Sequence, residues 1–149
     1  MFDKNGIEIK RGDIVKIEGG YFKNDNGLWF VEHVPGEPNW NGSDCSLRKI
    51  GKTGKVSTQK HNICFWPLSV YVNDYFKRCE ARAWNEKNAT IEIVAGVNKE
   101  GIIQHFEEEK KETEQMLEWY GWHFGEESDP YKLTAASLEV IKKTINRIA

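Results

Sequence analysis

Apolar and polar residues alternate twice near the start of the chain, in Ile7-Glu8-Ile9 and in Ile14-Val15-Lys16-Ile17, with Gly12-Asp13 between them. Alternation sends successive side chains to opposite sides of a strand, so the pattern predicts a short strand, a turn and a second strand. Gly19-Gly20 and Asn24-Asp25-Asn26-Gly27 then mark a loop built from residues that tolerate positive φ. Over 28–34, Leu28, Phe30 and Val34 fall on one face and Trp29, Val31 and His33 on the other. Both faces are largely apolar, which predicts a central strand covered on both sides.

Residues 35–44 are too rich in Pro, Gly and Asn for regular structure and read as a loop, with Trp40 at its middle. A hairpin is expected over 45–58, turning at Gly51-Lys52-Thr53-Gly54, and a further strand over 61–66 ends at Pro67. Asn73 or Asp74 is suited to cap a helix over 73–88, in which Asp74, Arg78, Arg82 and Glu86 recur four apart as a charged outer row. Thr90-Ile91-Glu92-Ile93-Val94 alternates again and reads as a last strand.

From Asn98 the apolar period changes. Ile102, Ile103, Phe106, Thr113, Leu117, Tyr120 and Phe124 lie at helical spacing, with a wholly charged middle from Glu107 to Glu112. That predicts a long amphipathic helix, weak at its centre and closed by Gly121 or Gly125. Ser128-Asp129-Pro130 is a start signal for another helix carrying Leu138, Ile141, Ile145 and Ile148, with Thr134 as the expected cap of its regular part. Trp119, Tyr120, Trp122 and Phe124 are expected to be packed as a clamp between this helical part and the sheet. Domain organisation follows from the change of period: residues 1–97 hold the strands and the 73–88 helix, residues 98–149 form a helical extension, and the two are expected to pack into one compact unit joined at 95–98.

With 149 residues, 39% of them apolar and 12% aromatic, the chain has the material for a real core. Its net charge of −2 gives no overall pull toward nucleic acid or anionic membrane. The charge is uneven: residues 1–98 carry 14 Lys or Arg against 12 Asp or Glu, and residues 99–149 carry 7 against 11. No apolar run reaches the ~20 residues that a bilayer demands. Met1-Phe2-Asp3-Lys4 lacks the apolar stretch of a secretory signal, and Cys45, Cys64 and Cys79 are odd in number, so a cytoplasmic protein with free thiols is expected.

The recurrence of Gly6, Ile7, Ile9, Gly12, Asp13, Val15 and Ile17 resembles the opening of SH3-like and KOW-like small barrels. Over residues 5–94 the resemblance implies an α+β chain: a small SH3-like antiparallel β-barrel with an inserted helix and a C-terminal pair of helices packed on it. Barrels of that kind bind peptides, proteins or nucleic acids, an implication drawn by analogy of fold. The whole chain is also similar to small proteins of phages, plasmids and conjugative elements of Gram-positive bacteria, which imply no defined activity.

Candidate chemistry is sparse. His33, Cys45, His61, Cys64 and Cys79 include zinc-ligand types, but His61 and Cys64 stand three apart on an expected strand and so on opposite faces. They read as core residues, and neither metal nor cofactor is expected. No base and orienting group accompany a nucleophile, and no glycine spacing matches a phosphate loop, so catalysis is not expected either. Two surfaces remain. A protein partner would be met by Trp40, as an aromatic anchor set against a lid folded back over the barrel end, and by the acidic Glu107, Glu108 and Glu112, which can imitate nucleic-acid phosphates or serve plainly as a solvated helix face. Nucleic acid would be met by Arg48, Lys49, Lys52, Lys55 and Lys60 on the hairpin, set against their plainer role as solvated charges that protect a sheet edge. The leading expectation is a non-enzymatic binding protein of a phage or mobile element that engages a protein partner, a host-defence component being one candidate; a nucleic-acid-binding module using the 48–60 hairpin is the second reading and a small enzyme the third.

Overall fold

A computed structural model describes residues 2–19, 23, 26–34, 36–40, 46–50, 90–94 and 99–149. The strand over 61–66, the helix over 73–88, most of the hairpin over 45–58 and the joint at 95–98 lie outside the described residues. So do Lys52, Lys55, Lys60, Cys45, His61, Cys64 and Cys79.

The architecture is α+β. Strands β1 (Ile14–Glu18), β2 (Gly27–His33), β3 (Ser46–Lys49) and β4 (Thr90–Val94) are followed by helices α1 (Lys99–Phe124) and α2 (Asp129–Ile148). The strands form one antiparallel sheet in the order β3-β2-β1-β4, so β3 and β4 are its edges and the sheet is open among the described residues. By contact density the chain divides into two compact units, Met1–Pro35 with Cys45–Asn98, and Gly36–Asp44 with Lys99–Ala149.

In the first unit, alternation decides which side chains meet. Val15 and Ile17 of β1, Trp29 and Val31 of β2, Leu47 of β3 and Ile91 of β4 share one side and form a buried core with Ile9. Strand β2 is interior, and its five consecutive residues from Trp29 to His33 are all buried, so both of its sides are covered. One assignment changes. Strict alternation sets Val34 beside Phe30, yet Val34 packs against the Trp29 and Val31 core. The register explains it, because Val31 pairs with Leu47 and His33 with Ser46, so a bulge inserts one residue of β2 and reverses the faces beyond it.

The opening of the chain is a knot of turns. Ile7-Glu8-Ile9 makes a single bridge, Phe2 to Glu8, in place of the expected strand. Residues 10–13 form a tight turn in which the Asp13 N–H donates to the Lys10 carbonyl (3.0 Å) and the Lys10 N–H donates to Asp13 Oδ2 (2.7 Å). Its third position, Gly12, has φ +90° and donates its N–H to the Val31 carbonyl (2.7 Å), a conformation a side chain would strain. Asp3 then secures the edge of β4: Oδ2 accepts from the Ile93 N–H (3.0 Å), while Oδ1 accepts from Asn5 and Ile7 (2.9 Å each).

The second unit is a helical hairpin. Helix α1 runs unbroken through its charged middle and ends at Gly125, whose φ of +84° turns the chain while its N–H donates to the Gly121 carbonyl (3.2 Å). Gly121 stays inside the helix and faces Tyr131 of α2: a Cβ built there would lie 3.3 Å from the ring. Ser128, not Thr134, caps α2, its Oγ accepting the Tyr131 N–H at 3.4 Å, with Pro130 in the first turn where no donor is needed. Thr134 lies within the helix, fully buried. Thr113, Thr134 and Thr144 each donate the side-chain hydroxyl to the carbonyl four residues back (2.7, 2.7 and 2.9 Å), which lets small polar residues occupy a buried helical face.

Candidate functional site

Ile102, Phe106 and Thr113 define the buried face of α1. At 100° per residue, Glu108, Glu112, Gln115, Trp119 and Trp122 fall on the opposite side, spaced four, three, four and three apart. All five are exposed. The helix therefore presents a stripe that is acidic for its first half and aromatic for its second, with Glu107, Glu114 and Glu118 along one flank, also exposed.

The aromatic half has fixed geometry. The rings of Trp119 and His123 stack with centroids 4.1 Å apart and planes inclined by 19°. His123 Nδ1 lies 2.8 Å from the Trp119 carbonyl oxygen, which can only accept, so Nδ1 carries a proton and the imidazole is held against the indole. Phe124 meets Trp119 edge-on, centroids 5.7 Å apart, and Tyr120 does likewise at 5.4 Å. Trp122 stands 86% exposed and Trp119 46%. Between them an open cleft of about 260 Å³ is lined by Gln115, Glu118, Trp119, Trp122 and His123. Of the aromatic residues expected to be packed, Trp119, Trp122 and Phe124 are thus exposed, and Tyr120 is half-buried.

The residues singled out in the sequence separate into groups. Glu107, Glu108 and Glu112 are exposed on α1, where Glu108 also accepts a long hydrogen bond from Gln104 (3.5 Å). Trp40 is half-buried, and its indole N–H donates to Thr113 Oγ1 at 3.0 Å. Thr113 has already donated its own proton to the Glu109 carbonyl, so its oxygen is a ready acceptor. The loop tryptophan is therefore tied to the weak middle of α1, where a threonine takes the place of a larger apolar residue.

On β3, Arg48 and Lys49 have their charges engaged within the first unit. Arg48 Nη2 donates to both oxygens of Glu32 (3.0 and 3.2 Å), a pair with side-chain exposures of 14% and 10%. Lys49 Nζ donates to the Asn26 carbonyl at 2.7 Å and sits 4.5 Å from the centre of the Trp29 ring. His33 is buried in β2, beyond the bulge. Among the described residues no group of three or more His, Cys, Asp or Glu is placed to hold a metal ion, and no helix is long and apolar enough to cross a membrane.

One carboxyl is perturbed by its surroundings. Burial of Asp3 works to raise its pKa, but the N–H groups of Ile93, Ile7 and Asn5 and the charge of Lys4 together outweigh it and hold the carboxyl below its ordinary 3.8. This residue secures the sheet edge and lines no cleft, so the perturbation is structural. Compared with protein-family models, with curated proteins and with solved structures, the chain gives no match.

Proposed function

We propose that this chain is a non-enzymatic binding protein that engages a protein partner through the exposed stripe of α1. One observation carries the reading: Trp122, 86% exposed beside Trp119 and the acidic side chains of the same stripe, forms a large aromatic surface on a regular helix. Exposed aromatic surface is costly in water and is concentrated where proteins meet. In this reading Glu107, Glu108 and Glu112 face the partner, and Trp40 braces the helix that carries them. Arg48 and Lys49, each already engaged, lend no support to a nucleic-acid contact through the hairpin.

A finer reading rests on the resemblance of the sequence to small proteins of Gram-positive phages and mobile elements: in it the partner is a host-defence component. The glycine and aliphatic pattern of the opening supports a sheet that belongs to an SH3-like barrel with the helical hairpin as its extension. Affinity capture from a Gram-positive host lysate, with the wild-type chain and Trp122→Ala as parallel baits, tests the central claim. A protein recovered by the wild type and lost with the variant is the expected result. Recovery of the same proteins by both baits, or of none by either, would overturn it.

A further inference from the structure

We propose that the cleft between Trp119 and Trp122 receives an arginine side chain of the partner. The inference rests on the protein-binding reading and names the chemistry that the surface takes.

Three features of the cleft point the same way. Two indoles help to line it, and among aromatic side chains the indole face attracts cations most strongly. Stacking of His123 on Trp119, together with the contact of Nδ1 to the Trp119 carbonyl, holds that ring in place where it lines the cleft. Glu118 lines the cleft one turn before Trp122, supplying a carboxylate beside the aromatic walls. A flat guanidinium satisfies both demands at once, stacking on an indole while its N–H fork binds a carboxylate. A compact ammonium gains the charge attraction but neither the stacking nor the paired hydrogen bonds.

Charge complementarity selects among occupants. Glu108 and Glu112 continue the stripe toward the helix N-terminus, and Glu107 and Glu114 flank it, all exposed. A nucleic acid that stacked its bases on these indoles would bring its phosphates against those carboxylates, which disfavours it. An uncharged apolar helix would cover the indoles and leave the Glu118 carboxylate desolvated without compensation. A second copy of the chain would bring an identical acidic stripe. A basic segment of a partner is the occupant that neutralises the surface.

The test is an NMR titration of the full chain at low salt, following the indole N–H resonances with an amidated Gly-Arg-Gly-Arg-Gly peptide. Peptides with lysine or citrulline in place of arginine serve as comparisons. The resonances of Trp119 and Trp122 are expected to shift saturably with arginine, while Trp40, whose N–H is held by Thr113, stays in place. Lysine is expected to bind several-fold more weakly, and citrulline, with the shape but not the charge, about tenfold more weakly or worse. Trp122→Ala should weaken arginine binding about tenfold, and Glu118→Gln several-fold. The exposure of both side chains keeps these variants folded, which unchanged far-ultraviolet dichroism would verify.

Citrulline binding equal to arginine, or no shift at either tryptophan, overturns the proposal. So do Trp119 and Trp122 shifts that follow protein concentration without peptide, which assign the face to a second copy. If the captured partner is lost with Trp122→Ala while the arginine peptide fails to bind, the protein-binding reading stands and the arginine assignment alone is wrong.

Discussion

Asp3 illustrates how one side chain acts far beyond its place in the sequence. Its two oxygens accept three backbone N–H groups, one of them from Ile93 at the far end of the described sheet. Asp3→Asn removes the charge and turns a donor amide toward a donor, so a loss of about 1–2 kcal/mol at neutral pH is expected. The pH dependence follows from the direction of the shift. A carboxyl held below 3.8 in the folded state contributes its full stabilisation above the unfolded value, and loses it as the pH falls through the lower folded value. Urea unfolding at pH 7 and pH 3 is therefore expected to show the gap between wild type and Asp3→Asn narrowing in acid. A gap that stays constant or widens would contradict this account.

At the scale of elements, the helical hairpin joins through small polar residues. Three threonines there satisfy their hydroxyls within their own helix, but Ser137, 1% exposed, has an Oγ with no hydrogen-bond partner among the described residues. Ser137→Ala removes an uncompensated buried hydroxyl and introduces the best helix former, so it is expected to stabilise the chain by about 1 kcal/mol. A higher urea midpoint with an unchanged slope is the signature, and a lower midpoint would mean that the hydroxyl is bonded after all. The elements themselves were largely legible. Alternation located β1, β2 and β4, and the glycine and serine signals bracketed the turn between the helices. The choices between neighbouring signals were not: Gly125 turns the chain while Gly121 stays inside α1 against Tyr131, and Ser128 rather than Thr134 accepts the Tyr131 N–H.

For the whole molecule, the acidic bias of residues 99–149 becomes a surface property, because Glu107, Glu108 and Glu112 all project to solvent. Reversing the three together to lysine is expected to preserve helix content, since none is buried, and to slow association with the captured partner. It should also remove the decline of that association with added salt, because long-range attraction between opposite charges is what salt screens. Surface-plasmon association rates across a salt series measure both effects. A wild-type rate that is independent of salt would rule out steering by this stripe.

Much of the candidate site could have been read from residue spacing alone. Trp119 and Trp122 lie opposite Ile102, Phe106 and Thr113 on a helical projection, so their position off the packed stripe was visible in advance. Aromatic character argued for burial, and helical phase argued for exposure; phase decided. Trp40 was left open by its loop, as an exposed anchor or a residue folded back on the structure, and what decides its setting is a hydrogen bond to Thr113, 73 positions along the chain.

The sequence by itself determined where β1, β2, β4 and the two helices form, the turn at Gly12 and the separation of charge. Each of these is decided by side-chain periodicity, backbone torsion or composition within a few neighbouring residues. Only the tertiary structure decided the bulge that moved Val34, the anchoring of the β4 edge by Asp3, the tie between Trp40 and Thr113 and the engagement of Arg48 and Lys49. Those depend on which distant backbone groups and side chains arrive beside a residue, and no local pattern carries that information.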